Sequence, residues 1–173
     1  MRPKSKKEKL MEYLTGILLG LIISLAIFAK IAFAAEEEVV IPDDVRFWCE
    51  KYGEEYGISP EILEAVCWVE SRCTPDAQSA DKSCKGLMQI KPSCHGDRMD
   101  RLGVRNIFGI WENIKVGADY LAELSQSEDI AVALTIYNGQ SDARVEAARK
   151  GEYSAYVKQI LAISEDLERS HNK

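Results

Sequence analysis

Histidine is scarce in this chain. His95 and His171 are the only two among 173 residues, and no two of the five cysteines stand in CxxC spacing. A zinc centre needs clustered nitrogen and sulfur ligands at short spacings, and Cys94-His95 alone does not supply them. A basic excess is also missing: Lys and Arg number 22 against 28 Asp and Glu, a net charge of −6. Arg2, Lys4, Lys6, Lys7, Lys9 and Lys30 all precede residue 35, so the remainder is more acidic still. A nucleic-acid partner calls for a basic face, and that class is excluded. There is no internal repeat and no alternation of apolar and polar residues beyond a few positions. A solenoid and a sheet-based fold are thereby excluded.

The length suits one domain. The first 34 residues read separately from it. A basic start (Arg2 to Lys9) precedes an apolar run from Leu14 to Ala29, and Ala32-Phe33-Ala34 follows. These are the three parts of a secretory signal peptide, with cleavage expected after Ala34. The alternative is an uncleaved membrane anchor. The run of about 16 residues is short of the roughly 20 that span a bilayer. Extended to Ala35, with Lys30 snorkelling to the interface, it is long enough. Both readings place the rest of the chain outside the cytoplasm, extracellular, in the wall or periplasmic, because the basic end stays inside. Residues 35–42, with Glu36, Glu37 and Glu38, read as an acidic linker, 43–168 as the domain, and 169–173 as a tail.

Cys49, Cys67, Cys73, Cys84 and Cys94 all fall in the exported part, where disulfides are permitted. An odd count leaves at least one unpaired or intermolecular. Cys49 and Cys67 stand nearly equidistant from the turn at Tyr56–Ser59, so an antiparallel helix pair would bring them level. That makes Cys49–Cys67 the favoured bridge; any two of Cys73, Cys84 and Cys94 could pair.

The domain reads as all-α, with at most a minimal β element near residues 84–90. Asp43-Asp44 is expected to cap a first helix carrying Val45, Trp48, Cys49, Tyr52 and Tyr56 on one face, ended by Gly57. Ser59-Pro60-Glu61 starts a second, running to about Ser71. Thr74 to Lys85 is turn-like. A short helix is expected within Ser93 to Leu102. Asn113 is expected to cap a helix with Ile114, Gly117, Ala118, Leu121 and Leu124 on one face. Ile130–Tyr137 is apolar enough to be central, with Gly139 as its stop. Ser141 opens a short helix closed by Gly151, and Tyr153 to Leu167 marks the last.

One carboxylate is out of place in this pattern. On a wheel of about 100° per residue, Glu70 falls roughly 80° from Ile62, inside the apolar arc of Leu63, Val66 and Val69. Glu64 falls at roughly 200° and reads as solvated. Apolar surroundings and the negative end of the helix dipole should both raise the pKa of Glu70. A carboxylic acid kept protonated is what glycosidic cleavage needs as its general acid. A swung-out side chain or an ion pair with Arg72 would explain the same position without chemistry.

Several segments together resemble a known family. They are Glu70-Ser71 after an apolar helix, Gly86-Leu87-Met88-Gln89-Ile90, Asn113-Ile114 with Gly117 and Tyr120-Leu121, Tyr137-Asn138-Gly139, and Tyr156-Val157. In this order, over roughly residues 45–163, they resemble the soluble lytic transglycosylases. These belong to the lysozyme-like superfamily and are related to goose-type lysozyme. The resemblance implies an enzyme that cleaves the β-1,4 bond between N-acetylmuramic acid and N-acetylglucosamine in peptidoglycan strands. It does so without a cofactor and leaves a 1,6-anhydromuramyl end. Glu70 would act as acid and then as base. Ser71 and Ser79 would stand near the substrate, Ser79 by its acetamido group. Met88 and Gln89 would line the cleft, Tyr137 and Asn138 would flank Glu70 with Tyr137 holding its carboxyl, and Tyr156 would present a face or hydroxyl. The loop before Gly86 is one residue longer than the common form, and no separate wall-binding module is expected within this sequence.

Two alternatives stay open. A hydrolytic muramidase would need a positioned water and a second acid, for which Asp76, Asp81 and Asp97 are the candidates. A near-inactive wall-binding component of a secretion or conjugation apparatus would need neither.

Overall fold

A computed structural model describes residues 7 and 38–171. The chain divides into two units, Met1–Glu38 and Val39–Lys173. The expected signal peptide or anchor lies outside the described residues. Among the described residues no helix is long and apolar enough to cross a membrane.

The second unit is all-α among its described residues: α1 (Asp43–Tyr56), α2 (Pro60–Ser71), α3 (Pro92–Leu102), α4 (Ile110–Ser125), α5 (Ile130–Tyr137), α6 (Asp142–Arg149) and α7 (Ala155–His171). The β content is two isolated antiparallel bridges, Gln78 with Lys85 and Lys85 with Ile90. Local signals set most boundaries. Gly57, at φ 71°, ends α1 in the left-handed conformation that costs glycine little. Ser59 caps α2, its hydroxyl accepting from the amide of Ile62, with Pro60 in the first turn. The Asp129 carboxylate caps α5 through the amide of Val132.

Four expectations need correction. Pro42 stands at the N-cap of α1, and Asp43 and Asp44 occupy its first turn, where they favour the positive dipole end. Asn113 is no cap: α4 begins three residues earlier, after Gly109. In the segment taken as linker, Ile41 is buried and Val39 packs on the core. The last helix runs through His171, beyond the tail boundary.

Helix α2 lies at the centre, against α1 on one side and α7 on another. Its residues Ile62 to Trp68 are buried without a break. This includes Glu64, which is fully buried rather than solvated. The wheel finds the apolar arc, but a helix covered on several sides has no solvent face for its polar residues to occupy. Helix α5 is the second interior element, buried from Ala131 to Thr135 and packed by α4, α6 and α7.

Candidate active site

Glu70 sits in the last turn of α2, half-buried. The hydroxyl of Tyr156, from the start of α7, donates a 2.6 Å hydrogen bond to its Oε1. Burial raises the Glu70 pKa and the Tyr156 hydrogen bond opposes it; the net direction is upward. No charged group contributes to this shift among the described residues. Burial, followed by the Glu70 charge, drives the Tyr156 phenol well above its usual range, so it stays a donor. Asn138, just past α5, acts on the same phenol and opposes its rise. One contact thus joins Tyr156 and Glu70 from two elements.

Beside it, residues Gly86 to Ile90 form a tight turn closed by paired bonds between Lys85 and Ile90. Gly86, at φ 78°, leaves no room for a side chain, because a Cβ there would lie 2.2 Å from the Asn113 amide nitrogen. The turn is fastened from three helices. The Ser71 hydroxyl donates to the Leu87 carbonyl at 2.8 Å. The Asn113 side chain accepts from the Met88 amide at 2.7 Å and donates to the carbonyls of Lys85 and Ile107. The Tyr137 hydroxyl donates to the Met88 carbonyl at 2.7 Å.

The expected site residues therefore divide. Glu70 and Tyr156 meet directly, and Asn138 acts on the Tyr156 phenol. Ser71 and Tyr137 hold the neighbouring turn, so the tyrosine on the carboxyl is Tyr156 and not Tyr137. The Met88 side chain is fully buried against Gly117, and it is the Met88 backbone that faces Tyr137. Gln89, at φ 47°, folds its amide back onto the Gly86 carbonyl. Ser79 is occupied locally: its hydroxyl donates to Asp81 and accepts from the Cys84 amide. Sequence reasoning missed the anchoring role of Asn113. The available signal was a polar residue on the face shared with Val116, Gly117 and Tyr120.

Of the carboxylates considered as a second acid, Asp76 and Asp81 are exposed. Asp97 lines a pocket with Cys94, His95, Arg98, Arg101 and Glu123. All five cysteines carry free thiols. Among the described residues no group of three His, Cys, Asp or Glu is placed to hold a metal ion.

The family model described as the transglycosylase SLT domain matches residues 47–159. Two relatives, each named endo-type membrane-bound lytic murein transglycosylase A and from two strains of Klebsiella pneumoniae, are 37% identical over 82 residues. Those matches take in 43% of this chain and 40% of each relative, so the chain spans well under half of their length. Among solved structures, an inactive mutant of the lytic transglycosylase Slt from Pseudomonas aeruginosa superposes with a TM-score of 0.62 at 19% identity. It covers 73% of this chain and 24% of its own, a likeness of fold.

Proposed function

The chain belongs to the transglycosylase SLT domain family, and from that premise we propose that it is a lytic transglycosylase. It cleaves the β-1,4 bond between N-acetylmuramic acid and N-acetylglucosamine in peptidoglycan. The observation that carries this reading is the Glu70 carboxyl: half-buried, raised in pKa, and held by a tyrosine hydroxyl rather than a cation.

Tyr156 donates to Oε1, so Oε2 is the oxygen left to carry the acid proton. Glu70 passes that proton to the glycosidic oxygen as the bond to C1 breaks. The resulting carboxylate takes the proton of the muramyl C6 hydroxyl as O6 attacks C1, closing the anhydro ring. The acid is regenerated, water is not consumed, and no second carboxylate is required, unlike the paired-carboxylate glycosidases. The tyrosine stays a donor throughout and is best matched to the ionised state between the two transfers.

The relatives' name, membrane-bound, and the basic-then-apolar N-terminal sequence support an exported location, where peptidoglycan is reached. Mass spectrometry of products from purified glycan strands tests the reaction. Anhydromuramyl ends are expected. Reducing muramic acid alone would assign a hydrolase instead, and absence of cleavage would leave a binding role in the wall.

A further inference from the structure

The pocket between α3 and α4 has a volume of about 340 Å³, within the range that holds a small ligand. None of its lining side chains takes part in the chemistry assigned to Glu70. A row of rings joins it to the turn beside Glu70. Tyr137, whose hydroxyl holds the Met88 carbonyl, packs on Tyr120 with ring centroids 5.4 Å apart, and Tyr120 packs on His95 at 4.6 Å. All three rings are half-buried, so each keeps an exposed part.

One wall of the pocket is fixed. Arg98 donates to Asp119 at 2.6 Å, to Glu123 at 2.8 Å and to Nδ1 of His95 at 3.4 Å, and its guanidinium lies 4.9 Å from the centre of the Tyr120 ring. Helical geometry breaks at His95 (φ −121°, ψ 18°), inside α3. Because Nδ1 accepts, the neutral ring carries its proton on Nε2, which is left as a donor.

The other wall presents both signs of charge. Arg101 gives two nitrogens to Asp119, yet its side chain is 58% exposed. Glu123 meets Arg98 through Oε2 alone, and its side chain is 61% exposed. Asp97 is exposed and makes no ion pair or side-chain hydrogen bond among the described residues. A simple anion or cation would meet a charge of its own sign here. A group that carries an ammonium and a carboxylate together satisfies both, with the carboxylate on Arg101 and the ammonium on Asp97 and Glu123.

We infer that this pocket binds the end of a peptide arm of the glycan strand, at a diamino acid that bears a free ammonium beside a carboxylate. The inference rests on the reading of the strand as substrate. The sugar backbone of such a strand is uncharged, and its arms carry the charged groups. Tyr120 and His95 are the surface between that pocket and the turn held by Tyr137. Strands whose arms keep both charges are selected over strands whose arms have lost one.

The test titrates the tripeptide alanyl-γ-glutamyl-diaminopimelate into the full chain in neutral detergent micelles and follows backbone amide shifts by NMR. Saturable shifts centred on His95, Arg101, Tyr120 and Glu123 are expected in the millimolar range. The 2-aminopimelate analogue lacks only the second amine and should bind about tenfold more weakly, the size of one lost charged hydrogen bond. Asp97→Asn should narrow that difference, and its fold is safe because Asp97 holds no other side chain. Arg101→Ala should weaken the tripeptide about tenfold, with Arg101→Lys restoring part of the loss. Absence of shifts at these residues, equal affinity for the two peptides, a difference as large in Asp97→Asn as in wild type, or unchanged affinity in Arg101→Ala overturns the inference. Binding is read without cleavage. A failed pocket therefore leaves the assay for anhydromuramyl ends untouched, and a failed transglycosylase leaves this result standing.

Discussion

The hydroxyl of Tyr156 meets Oε1 of Glu70 across 86 residues of sequence. Helix α7 has to dock on α2 for the pair to exist, so the acid is complete only in the folded domain. Glu70→Gln preserves the shape of this contact but carries no transferable proton. Glycan-strand cleavage should fall at least about 100-fold, read as the rate of anhydromuramyl product. Wild-type rates in that variant would remove Glu70 from the chemistry.

Tyr156→Phe separates position from proton affinity. The hydrogen bond favours the carboxylate and so holds the Glu70 pKa down against burial. Without it the pKa rises further. Activity that depends on the protonated acid falls as pH rises through that pKa, so the alkaline limb should move to higher pH. Turnover at the plateau should drop about tenfold as the carboxyl loses its fixed orientation. A pH–rate profile with an unmoved limb would show that the phenol only packs.

Glu64 gives stability a pH dependence of its own. Burial pushes its pKa up to about 7, against opposing pulls from His171 and Arg46, each 3.9 Å away. Among the described residues, neither Glu64 oxygen nor the Arg46 Nε has a hydrogen-bond partner. A pKa raised on folding contributes stability that is full below the unfolded value near 4.5 and is lost as pH rises through about 7. The domain should lose about 3 kcal/mol through this group between those limits. Chemical denaturation of wild type and Glu64→Gln from pH 4.5 to 8 checks it: the glutamine variant should lack this slope, and parallel curves would refute the assignment.

Asn113→Ala removes a donor and an acceptor together. It strands the buried Met88 amide and the Ile107 carbonyl, leaves the Lys85 carbonyl with its bond from the Ile90 amide alone, and should cost about 2–4 kcal/mol. Urea midpoints measure this. A cost under about 0.5 kcal/mol would show that the turn is held mainly by Ser71 and Tyr137.

Gly117→Ala tests packing beneath the same turn. A Cβ there would lie 2.3 Å from the Met88 sulfur, and the crowding should outweigh the roughly 1 kcal/mol that alanine adds to a helix. In a Met88→Ala background the same substitution should become stabilising. Additive effects in that double-mutant cycle would place the two residues out of contact.

What could be read ahead of the structure follows the range of the forces involved. The start of α2 is written in Ser59-Pro60-Glu61 and the end of α1 in Gly57, because caps and left-handed turns are decided within four residues. The apolar setting of Glu70 is also legible, since it depends only on helical period. Asn113 reads as a cap from sequence because asparagine caps helices well; its true partner, the Met88 amide, lies 25 residues away. Glu64 reads as solvated because the wheel sees one helix, whereas α1 and α7 cover the side it points to. Tyr137, expected to hold the Glu70 carboxyl, bonds the Met88 carbonyl instead for the same reason. Both reach the site, and only the docking of α7 decides which hydroxyl meets the carboxyl.

The turn at Gly86–Ile90 is not a flap. Ser71, Asn113 and Tyr137 fasten it from three different helices, and none of those helices can move away alone without breaking a bond to it. Its amides should therefore exchange with solvent deuterium only when the whole domain opens, with Met88 among the slowest in the chain. The neighbouring 74–84 loop is tied mainly to itself through Ser79, Asp81 and Ser83 and should exchange fast. The turn beside Glu70 is thus set before any ligand arrives, whereas the loop that precedes it in sequence is free to adapt.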